Sequence, residues 1–144
     1  MLKGIPGILS PELLKVMMEM GHGDEIVLAD GNFPGASHAA QLIRCDGCNV
    51  PEILEAMLNF FPLDTGACSP AALMDIPQGY EPRPPIWSRY REIITASEDQ
   101  FSDFEYVERF DFYQRAKKAF AIVTTREKAL YANIILKKGV VTEQ

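Results

Sequence analysis

Short helical and strand-like patterns alternate along the whole of this chain, and that alternation constrains its fold more than any single motif does. Ser10-Pro11-Glu12 is a helix start, with serine as N-cap, proline at the first helical position and an early acid that complements the helix dipole. Leu13, Leu14, Met17 and Met18 then mark one apolar face, so a helix is expected from Pro11 to Met20 with its methionines in the core. The same spacing returns at Ile53, Leu54, Met57 and Leu58 after Pro51, predicting a second helix on the same sheet system. Glu25 to Asp30 and Gln41 to Arg44 read as short strands, and Ala71 to Ile76 is a further candidate. Gly79, Pro82, Pro84 and Pro85 make Gln78 to Pro85 a surface loop, after which Trp87 to Ala96 resumes a helical pattern. In the last third, Phe104 to Phe110 reads as extended, Asp111 to Lys118 as helical, and Ala119 to Thr125 and Asn133 to Leu136 as strands. This pattern predicts an α/β fold, a single three-layer domain over residues 1–144 with a mixed, largely parallel sheet flanked by helices.

Composition excludes several functions. The net charge of -6, with lysines and arginines scattered rather than clustered, argues against a nucleic-acid partner, which needs a basic patch. No apolar run approaches the roughly 18 residues that suggest a membrane span, and the N-terminus lacks the layout of a signal peptide. The expected compartment is the cytoplasm, with no membrane association. Cys45 and Cys48 have the spacing of half a zinc knuckle or of a redox pair, but only Cys68, His22 and His38 remain to complete a metal site, none in a paired spacing. Asp46-Gly47 between the two thiols reads as a tight turn rather than a reactive helix start, so ordinary reduced thiols are expected and no metal is assigned.

The chemistry gathers around Gly21-His22-Gly23-Asp24-Glu25. The glycines put His22, one of two histidines, in the turn between the first helix and the first strand. An imidazole titrates near neutrality and can both give and take a proton. The alternative role is a cap on the loose carbonyls of the preceding helix. Asp24 and Glu25 are close enough to orient the ring or to serve structure alone. Asp30 closes the strand at its carboxyl end, where α/β folds bind ligands, and is expected to share one crevice with His22; its other reading is an Asx-turn. His38, in a Gly/Ala/Ser-rich stretch, is expected in a surface loop. Arg109-Phe110 and Tyr131-Ala132-Asn133 lie at the borders of apolar strands, and such groups suit sugar recognition: rings pack on a pyranose face while Arg, Asp and Asn fix hydroxyls. Each also has a plain reading, as a surface ion pair or a core tyrosine with a wet hydroxyl.

Taken together, Met1-Leu2-Lys3-Gly4, Leu9-Ser10-Pro11-Glu12-Leu13-Leu14, Gly21-His22-Gly23-Asp24-Glu25, Asp30 with Phe33-Pro34, and Phe120-Ala121-Ile122-Val123 leading to Tyr131-Ala132-Asn133-Ile134-Ile135-Leu136-Lys137-Lys138-Gly139 resemble the L-fucose mutarotase family, which shares its fold with D-ribose pyranase. The resemblance runs nearly end to end. It implies an enzyme that interconverts the α and β anomers of a free aldose without metal or cofactor. It makes His22 the proton donor, with Asp30, Arg109, Tyr131, Ala132 and Asn133 binding the substrate. Gly23 after the histidine and Arg109 favour the fucose branch, while Gly31 and the Cys-Asp-Gly-Cys segment depart from the pattern. It further implies a homo-oligomer, commonly a decamer, with sites completed across subunit contacts. In the implied reaction an acid protonates the ring oxygen and a base takes the anomeric hydroxyl proton; water, Tyr131 and Asp30 all remain open as the base. A pyranase on another aldose and a non-catalytic sugar-binding accessory protein are the competing readings.

Overall fold

A computed structural model describes residues 1–66 and 69–143. Its elements are α1 (Pro11–Glu19), β1 (Glu25–Ala29), α2 (Gly35–His38), β2 (Leu42–Cys45), α3 (Val50–Leu58), β3 (Ala71–Met74), α4 (Pro85–Ser97), β4 (Glu105–Val107), α5 (Arg109–Lys118), β5 (Ala121–Thr125) and β6 (Ile134–Lys137). The strands form one six-stranded sheet in the order β2-β5-β1-β6-β3-β4. β1 and β2 both pair with β5 in parallel, as β3 does with β4, whereas β6 runs antiparallel to β1 and β3. The sheet is therefore mixed and largely parallel, as its near-continuous apolar central strands require.

Side chains alternate across the sheet and build a core on each face. Ile26, Leu28, Ala121, Val123, Ile134 and Leu136 point to one side, where α1, α3 and α4 pack. Val27, Ala29, Ala72, Ile122 and Ile135 point to the other, where Phe112 and Ala116 of α5 and Phe33 before α2 cover them. Ser10 caps α1 by accepting from the Leu13 N–H at 3.1 Å, and Glu52 reaches back to the Asn49 N–H at 2.6 Å to start α3.

Three local expectations need correction. Met18 does not join the core: it is 84% exposed, because α1 faces the sheet through Leu13, Val16 and Met17. His38 lies in a four-residue helix rather than a loop, half-buried with its ring 6.3 Å from Phe33 and 5.5 Å from Tyr113. The extended stretch before α5 is only three residues long, so Arg109 opens a helix instead of bordering a strand. Glu108 sets that start by accepting from the Phe110 and Asp111 N–H groups. Cys68 lies outside the described residues.

One ion-pair network ties the layers together. The Arg115 guanidinium on α5 donates to Glu25 on β1 at 3.0 Å through Nε and lies 2.9 Å from Glu105 on β4 through Nη1. Arg115 and Glu25 are 22% and 16% exposed, so removing the cation leaves a poorly hydrated carboxylate. Arg115→Met is expected to destabilise the fold by about 2 kcal/mol, below the full cost of breaking a completely buried pair because water still reaches both groups. An unchanged urea midpoint would contradict this account.

Candidate functional site

β1 delivers Asp30 to the carboxyl end of the sheet, and β6 starts beside it. The backbone N–H of Asp30 donates to Asn133 Oδ1 at 2.7 Å, locking the two turns together. One carboxylate oxygen of Asp30 accepts from the Asn32 N–H at 2.9 Å, so the Asx-turn and an inward-facing acid coexist in one residue. Thr125 Oγ1 donates to the Ala29 carbonyl at 2.8 Å and accepts from the Glu127 N–H at 3.1 Å, fixing the neighbouring strand end. Asp30 is only 7% exposed. Burial raises its carboxyl above the usual aspartate range, an effect opposed by hydrogen bonds from the Asn32 and Phe33 backbone and the Asn133 side chain.

A cavity of about 270 Å³ opens over this acid. Asp30, Asn32, Arg109 and Asn133 supply its polar groups; Phe33, Tyr80, Tyr113 and Tyr131 supply aromatic walls, and Met74 and Leu130 complete the lining. Arg109 is held there by Tyr113, whose hydroxyl accepts from Nε at 3.3 Å, and its guanidinium lies 5.6 Å from the Tyr113 and Phe110 ring centres. Ala132 sits under the lining with a fully buried side chain. Tyr80 and Tyr113 were not anticipated. Tyr80 comes from the Gly/Pro-rich 78–85 segment and meets Tyr131 edge-on at 5.3 Å; an aromatic in so polar a loop is the signal that could have drawn attention to it.

His22 is elsewhere, and the expectation of one crevice shared with Asp30 is corrected. The two residues flank opposite ends of β1, whose five residues at roughly 3.3 Å each set them about 17 Å apart within one chain. His22 Nε2 lies 3.4 Å from Asp64 Oδ1, and the imidazole side chain is 60% exposed. It does not cap α1: Lys138 Nζ takes that place, donating to the Met17 and Met20 carbonyls at 2.7 and 2.6 Å. Asp24 accepts from the Gly21 N–H at 2.7 Å and Glu25 pairs with Arg115, so neither orients the ring. Around His22 runs an apolar groove containing Met18, Phe60, Val140 and Val141.

The cysteine pair has the geometry of a structural turn. The Cys48 N–H donates to the Cys45 carbonyl at 3.1 Å, and burial pushes the Cys45 thiol up to about 11, with Cys48 and Asp46 adding to the shift. Among the described residues no group of three or more His, Cys, Asp or Glu side chains is arranged to hold a metal ion, and no helix is long and apolar enough to cross a membrane.

Fold and site together define a mixed α/β protein with a polar, aromatic-walled pocket of small-molecule size at the carboxyl end of its central strand. The chain belongs to the RbsD / FucU transport protein family, which it matches over residues 3–141. It is 54% identical over 144 residues to the fucose mutarotase of Mus musculus, covering 96% of this chain and 94% of that one. It is 53% identical, with a TM-score of 0.91, to the fucose mutarotase of Streptococcus pneumoniae solved in complex with L-fucose, covering 98% of this chain and all of the other. Bacillus subtilis RbsD complexed with D-ribose, at 21% identity and a TM-score of 0.74 over 99% of this chain and 100% of that one, shares the fold.

Proposed function

We propose that this protein is a mutarotase that interconverts the α and β anomers of L-fucose by acid-base catalysed opening and closing of the sugar ring. The observation that carries this reading is the pocket at the end of β1, with Asp30, Arg109, Tyr131 and Asn133 on its wall, in a chain 53% identical to a fucose mutarotase solved with L-fucose. The residue types suit the task. A carboxylate, a guanidinium and a carboxamide fix ring hydroxyls directionally, tyrosine faces pack on the apolar side of the sugar, and Ala132 joins Tyr131 to Asn133 without itself lining the cavity.

Ring opening needs a proton on the ring oxygen and a base at the anomeric hydroxyl. His22 supplies the proton and Asp64 orients its imidazole, the pairing that the 3.4 Å separation supports. The anomeric proton passes to water, Tyr131 or Asp30. Because His22 and Asp30 flank opposite ends of β1, both serve one sugar only if His22 comes from a second copy. The surfaces around them favour such a head-to-tail contact: Met18 and Val141 are both 84% exposed at the His22 end, and Phe110 and Leu130 are 66% and 59% exposed at the cavity end. A heterologous contact whose rotation closes makes a ring, and on this reading the protein is a homo-oligomer, with a decamer as the specific expectation, working in the cytoplasm.

NMR of L-fucose with catalytic amounts of protein tests the reading by following magnetisation transfer between the α and β anomeric protons. Accelerated exchange for L-fucose, and much less for D-ribose, is expected. Binding without acceleration would select the non-catalytic alternative, and preference for ribose the pyranase. Arg109→Ala is expected to raise KM for L-fucose about tenfold and to blur discrimination among aldoses, because one charged hydrogen bond to a hydroxyl is lost. Unchanged affinities across fucose, galactose and ribose would remove Arg109 from the site.

A further inference from the structure

Tyr131 carries the one positive φ, 56°, found on a non-glycine residue among the described residues. The left-handed region is unfavourable for a bulky aromatic residue, so something must hold the backbone there. Two side chains of α4 reach it from below. Trp87 Nε1 donates to the Tyr131 carbonyl at 2.8 Å, and the Tyr90 hydroxyl donates to the Ala132 carbonyl at 2.6 Å. Trp87 is 6% exposed and Tyr90 is fully buried. Neither lines the cavity, yet each satisfies a carbonyl in the segment that presents Tyr131 and Asn133 to it.

The consequence reaches Asp30. With Tyr131 left-handed, its ring turns into the pocket against Tyr80, and Asn133 is brought to 2.7 Å from the Asp30 N–H. Release of the two carbonyls lets the 131–133 turn relax toward ordinary backbone, which swings the Tyr131 ring and loosens the Asn133 contact. We infer that Trp87 and Tyr90 are positioning residues that clamp the strained 131–133 turn in its ligand-binding conformation, an inference that rests on the reading of the cavity as the sugar site.

The test is Tyr90→Phe, which deletes one hydroxyl, with Trp87→Phe as an independent second variant. Hydrogen exchange followed by mass spectrometry is expected to show a peptide spanning residues 129–135 exchanging about tenfold faster, while the β1 peptide is unchanged. KM for L-fucose is expected to rise about tenfold, with kcat within about threefold of wild type, as binding geometry rather than proton transfer is lost. If either folded variant keeps its KM, or if exchange rises equally in β1 and the 129–135 peptide, the side chains serve general stability and the inference is overturned. A wild-type protein that does not accelerate L-fucose exchange overturns the functional reading instead. The exchange pattern, which needs no substrate, separates that outcome from failure of the clamp.

Discussion

His22→Ala is expected to lower kcat for L-fucose anomer exchange by about 100- to 10,000-fold, the usual contribution of a positioned acid-base group, while leaving sugar affinity within a few-fold. The imidazole is exposed and not used as a helix cap, so its loss removes little packing, but its partner Asp64 is only 15% exposed and loses a contact at 3.4 Å. A small fall in Tm is therefore expected beside the large fall in kcat. Direct measurement of anomer exchange at saturating L-fucose checks this. Near-native turnover would take His22 out of the mechanism, and a collapsed Tm would assign it a structural role.

Asp30→Asn is expected to separate activity from stability. A buried carboxyl raised above its unfolded value stabilises the fold fully only below the unfolded pKa, and that contribution is lost as pH rises through the folded pKa. Above the folded pKa the ionised group is therefore a burden on the fold. Asparagine keeps an oxygen to accept the Asn32 N–H and carries no charge, so Tm at pH 7 should not fall, and any gain should shrink as the buffer is acidified toward pH 4. Loss of a charged acceptor for sugar hydroxyls should raise KM about 10- to 100-fold. Calorimetry against pH beside exchange kinetics checks both halves. A variant both less stable at neutral pH and fully active would contradict the role given to Asp30.

Much of the fold was legible because local signals agreed with one another. Ser10-Pro11-Glu12 announces α1, and the stripe of Ile53, Leu54, Met57 and Leu58 announces a helix that is buried along that face. The misreadings share a cause: they occur where long-range contacts decide. α2 has only four residues and no capping side chain; it forms because Gly35 can approach β5, where an added Cβ would collide with Thr124 Cγ2. α5 begins at Arg109 because a glutamate, an unusual N-cap, accepts two N–H bonds. Met18 fits the stripe of α1 yet faces outward, where it meets the exposed apolar groove around His22.

The site divides in the same way. Asp30, Arg109, Tyr131 and Asn133 line one cavity, as their residue types suggested. Tyr80 and Asp64 stand far from these in sequence and are brought in by the 78–85 loop and by the chain approaching β3, whereas Tyr113 lies four residues after Arg109 and joins the site only because that segment is helical. The distance between His22 and Asp30 was hidden for a simpler reason. Eight positions of separation read as proximity, although a strand lies between them and carries its ends apart.

That separation makes one measurement decisive for a site built from two copies. At subsaturating L-fucose, His22→Ala and Asp30→Asn, each purified alone, should both be severely impaired; when they are co-expressed and assembled together, sites pairing an intact His22 from one copy with an intact Asp30 from another should form. Random mixing in a head-to-tail ring predicts recovery of about one quarter of wild-type exchange activity. Assembled mixtures no more active than the two variants alone would show that the catalytic group and the cavity never meet across a subunit contact, and would contradict the account.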